Sequence, residues 1–131
     1  CSSKHALLKS IADLNNILNI DLVIGIYRMT ELNTPKIGTE LTDNSIEFIP
    51  EAHSYLKINE NRIDFTSEQS EFNKIEKDII QEMLIEPFQV SDFKVDYHKN
   101  FLKDWINETK SKFSFAQIWL IREKCIENLT E

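Results

Sequence analysis

The sequence predicts an α+β fold, in which an N-terminal helix packs on an antiparallel sheet of about three or four strands and two C-terminal helices flank that sheet. Three observations support this prediction. Apolar residues recur at helical spacing near the start, two alternating segments meet at a polar turn within residues 52–67, and a capping pattern precedes the last amphipathic segment. The 131 residues fit one domain with room for a hydrophobic core, and that domain is predicted to span residues 1–131.

The first helix is predicted to run to about residue 19, with Ser2 or Ser3 as its cap. Leucine and isoleucine residues at helical spacing are predicted to form its inward stripe: Leu7, Leu8, Ile11, Leu14 and Leu18. Cys1 would then stand at the helix N-terminus, where unpaired backbone N–H groups favour the reactive thiolate.

β-Branched and aromatic residues dominate residues 22–29, which predicts a buried strand. Gly25 inside it indicates a bulge or the close approach of another backbone. Residues 30–51, which contain two prolines, are predicted to form a long connection. Apolar residues in its second half are expected to hold it against the core: Ile46, Phe48 and Ile49.

Residues 52–67 are predicted to form a β-hairpin. Asn59-Glu60 suits a two-residue turn, because Asn tolerates a positive φ. In that register His53 and Asp64 share one face as diagonal neighbours, at roughly 7 Å. A slip of one residue would place them on opposite faces, so the prediction depends on the turn.

The second half of the chain is predicted to be mainly helical. Residues 67–78 read as a loop or short surface helix, residues 79–85 as a further strand and residues 97–109 as a helix. Ser114 and Gln117 form a capping box for a last helix that reaches about residue 129.

The remaining candidate ligands are given structural interpretations. Cys125 is predicted to be a small buried hydrophobic residue, and His5 and His98 are predicted to be solvated helix residues. Cys1 and His5 have a spacing that can hold a metal on a helix, but no third ligand has a predictable position. The sequence therefore predicts no metal site and no cofactor.

The net charge of −7 argues against binding to nucleic acid or to an anionic membrane, since both need clustered lysine and arginine. A protein or peptide is the expected partner. No apolar run predicts a membrane span, and two cysteines make no disulfide framework, so a cytoplasmic protein is expected. Because the chain begins at Cys1, a lipoprotein, a processed extracytoplasmic form or a missing upstream segment stays open.

A cysteine at a helix start, a histidine on one strand and an aspartate on the next supply three linked chemical functions. The thiol attacks, the histidine takes its proton, and the aspartate orients the histidine and supports the imidazolium. Cys1, His53 and Asp64 occur in this order along the chain.

On these residues the sequence resembles the transglutaminase-like family of papain-like thiol enzymes. The resemblance covers about the first half of the chain and rests on three segments: Cys1-Ser-Ser-Lys-His-Ala6, Glu51-Ala-His53-Ser-Tyr55-Leu-Lys57 and Arg62-Ile-Asp64-Phe-Thr66. The family commonly has a small residue after the Cys, an aromatic two positions after the His, and a Thr shortly after the Asp. Its glycine-containing approach to the Cys has no counterpart here.

The resemblance implies an acyltransferase or an amide or peptide hydrolase that works through a thioester. Cys1 would be the nucleophile, His53 the general base and Asp64 its orienting partner. The backbone N–H groups of Ser2 and Ser3 are candidate oxyanion donors. Two alternatives stay open: a catalytically inactive transglutaminase-like interaction domain, and an N-terminal-nucleophile hydrolase that uses the α-amine of Cys1 as its base.

Overall fold

The computed structural model describes residues 2–66 and 72–129. It confirms the α+β fold with elements in the order α1 (Ser2–Leu14), β1 (Ile20–Met29), α2 (Glu40–Asp43), β2 (Ile49–Ile58), β3 (Asn61–Ile63), β4 (Ile79–Ile85), α3 (Asp92–Thr109) and α4 (Phe115–Leu129). Short 3-10 helices occur at Pro35–Ile37, Phe72–Lys74, Glu76–Asp78 and Pro87–Val90.

The strands form one antiparallel sheet in the order β3-β2-β1-β4. The predicted hairpin turn is confirmed, because Ile58 pairs with Asn61 and leaves Asn59 and Glu60 as the loop. Both loop residues have positive φ, 51° and 71°, as a tight hairpin turn of this kind requires. The second strand is shorter than the predicted hairpin over residues 52–67 requires: β3 ends at Ile63, so Asp64 follows the strand and the edge of β2 beyond it carries no further β3 pairing.

The two faces of the sheet support two separate cores. The face that includes Tyr55 packs against α4, the middle of α3 and the segments before β2 and β4, with these residues buried: Val23, Tyr27, Met29, Ile37, Leu41, Ile49, Phe72, Ile75, Leu102, Ile118, Ile121 and Cys125. The opposite face packs against α1 and the first half of α3, around Leu22, Ile24, Ile26, Ala52, Leu56 and Ile85. The predicted burial of Cys125 is confirmed.

The predicted inward stripe of α1 is wrong. Four of its five residues are exposed by 45–82%: Leu7, Ile11, Leu14 and Leu18. The helix instead buries His5, Ala6 and Ala12, whose small or polar side chains allow a close approach to the sheet. It also ends at Leu14 rather than near residue 19, because Asn16 and Asn19 adopt positive φ.

Other element boundaries differ from the predictions. The connection after β1 ends at Ile49, where β2 begins, and it contains α2. Ile49 is fully buried and Ile46 packs against the first core, as predicted. Residues 67–71 lie outside the described part of the chain. The segment that follows forms two short 3-10 helices at the surface, as predicted, and is anchored to the core by the buried Phe72 and Ile75.

The C-terminal half follows the sequence pattern more closely. The strand predicted for residues 79–85 is β4, and α3 begins at Asp92, before the predicted residue 97. The capping box of α4 is confirmed: the Ser114 N–H donates to Gln117 Oε1 at 2.8 Å, and the Gln117 N–H donates to Ser114 Oγ at 3.3 Å.

Candidate functional site

The hairpin brings His53 and Asp64 into direct contact. His53 lies in the middle of β2, and Asp64 follows the last residue of β3. The distance between His53 Nε2 and Asp64 Oδ2 is 2.8 Å. With Nε2 turned to the carboxylate, Nδ1 is the ring nitrogen that can accept a proton from a thiol.

The Asp64 carboxylate is held by donors on both oxygens. Oδ1 accepts hydrogen bonds from the backbone N–H and the hydroxyl of Thr66. Burial opposes ionisation, but the hydrogen bonds from His53 and Thr66 outweigh it and hold the pKa of Asp64 well below its usual range. Asp64 is therefore an ionised, fixed partner for the His53 ring at neutral pH.

His5 joins α1 to the segment that carries Asp64. Its ring is fully buried, and Nε2 accepts a hydrogen bond from the Phe65 N–H at 2.8 Å. The same nitrogen lies 3.7 Å from Asp64 Oδ1. Burial lowers the pKa of His5 to about 4, so the ring is neutral near pH 7 and can act as this acceptor. The prediction of a solvated His5 is wrong.

The start of α1 lies beside β2, one residue from His53 in sequence. Ser2 Oγ is 3.1 Å from Ser54 Oγ, and Ser54 is fully buried. Ser2 and Ser3 occupy the first turn of the helix, where backbone N–H groups ordinarily have no intrahelical partner. Cys1 lies outside the described residues.

Tyr55 supports the hairpin on the same face as His53. Its ring leans over Gly25, where an added Cβ would meet the tyrosine oxygen at 2.5 Å. A close approach was predicted for another backbone, and the structure shows a side chain, the Tyr55 ring, in that position instead. The hydroxyl donates to Glu82 on β4, and Glu82 also accepts two hydrogen bonds from Arg62 Nε, at 3.1 and 3.0 Å, and one from Nη2 at 2.6 Å. The β3 strand that leads to Asp64 is thus tied to the far edge of the sheet.

A second histidine–carboxylate pair joins Glu51, two positions before His53 on β2, to His98 on α3. Glu51 is buried and accepts hydrogen bonds from Arg122 Nε and Nη2, both at 2.8 Å. His98 is also buried, with Nδ1 4.0 Å from Glu51 and Nε2 donating to the Pro50 carbonyl at 2.8 Å. The prediction of a solvated His98 is therefore wrong as well.

Sequence reasoning gave no role to His5, Glu51, Arg122 or Lys94. Their contacts join segments that are remote in the chain. The Lys94 ammonium, for example, donates to Ser2 Oγ at 2.6 Å. A lysine or histidine within a helix has no local sequence signal for such a contact. The apolar residues near His98, such as Tyr97 and Leu102, are the one local signal that could have predicted its burial.

Within residues 2–66 and 72–129, no group of three or more His, Cys, Asp or Glu side chains is arranged to hold a metal ion. In the same part of the chain, no helix combines the length and apolar character needed to cross a membrane. In comparisons with known proteins, the chain matches no family model, no curated protein and no solved structure.

Proposed function

We propose that this protein is a transglutaminase-like, cysteine-dependent acyltransferase or amide hydrolase, with Cys1 as nucleophile, His53 as general base and Asp64 as orienting partner. The observation that carries the proposal is the hydrogen bond of 2.8 Å between His53 Nε2 and Asp64 Oδ2. The resemblance of the three sequence segments assigns roles to the same two residues. A contact of α1 with the pair supports the proposal, because His5 Nε2 lies 3.7 Å from Asp64 Oδ1. Ser2 also reaches β2 at Ser54, whose side chain lies on the face of the strand opposite His53.

The proposed reaction begins when His53 Nδ1 takes the thiol proton and the Cys1 sulfur attacks the carbonyl carbon of an amide. The backbone N–H groups of Ser2 and Ser3 stabilise the oxyanion. The C–N bond breaks as the imidazolium returns its proton to the leaving amine, which leaves a thioester. Water or a second amine then loses a proton to His53, attacks the thioester carbonyl and releases the thiolate. Asp64 stays ionised and supports each imidazolium stage.

The exposure of the pair is consistent with this chemistry. The His53 side chain is 25% exposed and the Asp64 side chain 11%, so the ring is accessible while the carboxylate is shielded. The Tyr27 ring meets the His53 ring edge-on at a centroid distance of 6.5 Å, which restricts rotation of the imidazole. A base held in one orientation loses less entropy when it takes the proton.

The test is the alkylation rate of Cys1 by iodoacetamide at pH 7, followed by mass spectrometry of the modified peptide. His53→Ala is expected to slow the reaction by roughly 100-fold. His98→Gln is the matched control, because glutamine keeps a donor for the Pro50 carbonyl, and it should react like wild type. A p-nitrophenyl ester should also leave an acyl group on Cys1 that hydroxylamine removes.

Equal alkylation rates in wild type and His53→Ala, together with no acyl group on Cys1, would contradict an enzymatic role and favour the inactive interaction domain. A loss of reactivity on acetylation of the α-amine, with no effect of His53→Ala, would instead support the N-terminal-nucleophile hydrolase. That alternative needs a strand directly after the nucleophile, whereas Ser2–Leu14 is helical.

A further inference from the structure

A groove of about 580 Å³ lies between the sheet and helix α3. Ile80 and Gln81 of β4 form part of one wall, and α3 contributes a stripe of side chains at helical spacing from Tyr97 to Glu108. Ile80 and Tyr97 pack against the core on the side of the sheet opposite His53. The groove is thus separate from the proposed reactive pair, and its volume is within the usual range for small-molecule sites.

Aromatic rings form much of the apolar lining of this groove. The centroids of the Phe48 and Trp105 rings are 5.7 Å apart, and both residues line the groove. The Arg28 guanidinium lies over the Phe48 ring, with Cζ 5.7 Å from the ring centroid. Gln81 donates a hydrogen bond to the Tyr97 hydroxyl and so joins β4 to α3 where the α3 stripe begins. This closed end favours a short ligand over a polypeptide that continues in that direction.

Three charged residues that line the groove have no oppositely charged partner within the described part of the chain. Arg28, Asp104 and Glu108 are exposed, and none of them takes part in an ion pair there. Asp104 and Glu108 are four residues apart on α3, so their like charges are neighbours and repel each other. Arg28 lines the same groove without neutralising either carboxylate. The groove therefore offers one positive and two negative groups to a ligand.

These charges and rings are complementary to one class of ligand. A guanidinium binds a carboxylate through two parallel hydrogen bonds, which suits Arg28. A cationic group beside α3 would relieve the repulsion between Asp104 and Glu108, and the face of the Trp105 ring attracts cations. One carboxylate and two cationic groups are the charges of a basic amino acid at neutral pH, and its aliphatic stem matches the aromatic lining. A neutral amino acid would leave one carboxylate of the groove unmatched.

We propose that the groove binds a basic amino acid, free or as the last residue of a dipeptide, with its carboxylate on Arg28 and its cationic groups on Asp104 and Glu108. The aliphatic stem of the ligand lies against Phe48 and Trp105. This inference goes beyond the proposed function, because it uses no residue of the Cys–His–Asp set and the groove lies on the other side of the sheet. It concerns binding alone and involves no covalent step.

The experiment titrates the isotope-labelled whole chain with L-arginine at pH 7 and follows the indole N–H signals of its two tryptophans by NMR. Trp105→Phe assigns the signals. The Trp105 signal is expected to shift, whereas Trp119 does not line the groove and its signal is the internal control.

Three further probes test the chemistry of the ligand. Agmatine lacks the carboxylate and L-citrulline lacks the side-chain charge, so each should bind roughly tenfold more weakly than L-arginine. Agmatine carries the larger positive charge, so unspecific attraction to the net charge of −7 would give the opposite order. Glycyl-L-arginine distinguishes the two sources: tighter binding than that of L-arginine assigns the groove to a dipeptide, and weaker binding assigns it to the free amino acid.

Variants of the charged residues test which group of the ligand each one binds. Arg28→Gln should weaken the binding of L-arginine roughly tenfold and leave the binding of agmatine unchanged. The double variant Asp104→Asn, Glu108→Gln should remove the preference for L-arginine over L-citrulline. Asp96→Asn is the matched control, because Asp96 is an exposed carboxylate of α3 that does not line the groove, and this variant should bind L-arginine as wild type does.

Three results would overturn the proposal. The first is no shift of the Trp105 signal at about 10 mM L-arginine. The second is tightest binding by agmatine with equal shifts of both indole signals, which would show unspecific attraction of cations. The third is an equal loss of L-arginine and agmatine binding in Arg28→Gln, which would limit Arg28 to a structural role. Circular dichroism checks the folding of each variant, and the substituted charged side chains are all exposed.

Discussion

Strand β2 contributes one member to each of two histidine–carboxylate pairs, which differ in exposure and in what else binds the carboxylate. The His53 side chain is 25% exposed and the His98 side chain 3% exposed. Asp64 binds His53 directly at 2.8 Å, whereas Glu51 lies 4.0 Å from His98 and is occupied by Arg122. Both pairs place a histidine near a carboxylate, yet only the His53 ring is partly exposed to solvent.

Under the proposed function, the partners of each carboxylate would distinguish the reactive pair from the structural one. Glu51 is neutralised by a guanidinium that transfers no proton at physiological pH, and His98 donates its Nε2 proton to a backbone carbonyl. Asp64 is bound by a hydroxyl, a backbone N–H and the His53 ring. We therefore expect the Glu51 pair to determine stability and the Asp64 pair to determine reactivity.

The largest effect on stability is expected at Arg122. Arg122→Met leaves the buried Glu51 carboxylate without its main partner and should lower the free energy of unfolding by about 4 kcal/mol. Urea denaturation at pH 7 measures this loss. The double variant Glu51→Met, Arg122→Met removes both charges and should recover most of the lost free energy of unfolding. If it does not, the pair contributes more to stability than the neutralisation of one buried charge by the other.

The second-largest effect on stability is expected from acid, because protonation of His5 removes its hydrogen bond to the Phe65 N–H. The pKa of His5 is lowered in the folded state to about 4, so the unfolded chain binds the proton more tightly. The stabilisation is complete above the unfolded pKa of about 6.5 and is lost as the pH falls towards 4, by about 3 kcal/mol.

His5→Gln keeps an acceptor for the Phe65 N–H without this titration. Its free energy of unfolding should therefore decline less than that of wild type between pH 7 and pH 4. Burial also lowers the pKa of His98, so a shared background decline is expected in both proteins. Parallel declines of equal size would contradict the role of His5.

A smaller effect is expected from Gly25→Ala, which tests the support of the hairpin. The new Cβ would meet Tyr55 Oη at 2.5 Å and Cε1 at 2.7 Å, so the ring must move away from Glu82. We expect a loss of about 2 kcal/mol, measured by thermal unfolding. Cys1 alkylation should slow because His53 lies two residues from Tyr55, while the Glu51–Arg122 pair should stay intact. An unchanged rate of Cys1 alkylation would show that the position of Tyr55 does not affect His53.

The smallest effect on stability is expected from Asp64→Asn, about 1 kcal/mol at pH 7, since the amide keeps an oxygen for Thr66. The pKa of Asp64 is depressed in the folded state, so its stabilisation is present above the unfolded pKa and is lost as the pH falls through the acid range. Asp64→Asn should lack this acid dependence and still slow Cys1 alkylation strongly. A large loss of unfolding free energy with a normal rate of Cys1 alkylation would contradict the expectation that the Asp64 pair determines reactivity and not stability.

Much of the hairpin could be predicted because its signals are local. Alternating side chains assigned the faces of β2, and Asn59-Glu60 fixed the pairing of Ile58 with Asn61. The same kind of signal located the capping box at Ser114. The stripe of α1 misled because helical spacing gives the period of apolar residues but does not decide which face the sheet covers. The sheet contacts the face with Ala6 and Ala12.

The sequence by itself determined the α+β class, the register of the hairpin and the contact between His53 and Asp64, because each depends on residues close together in the chain. The tertiary structure decided that His5 and His98 are buried, that Arg122 closes over Glu51 and that Lys94 reaches Ser2. Those contacts join residues 48 to 92 positions apart. These contacts form only when the helices pack against the sheet, and the spacing of residues along the chain does not predict that packing.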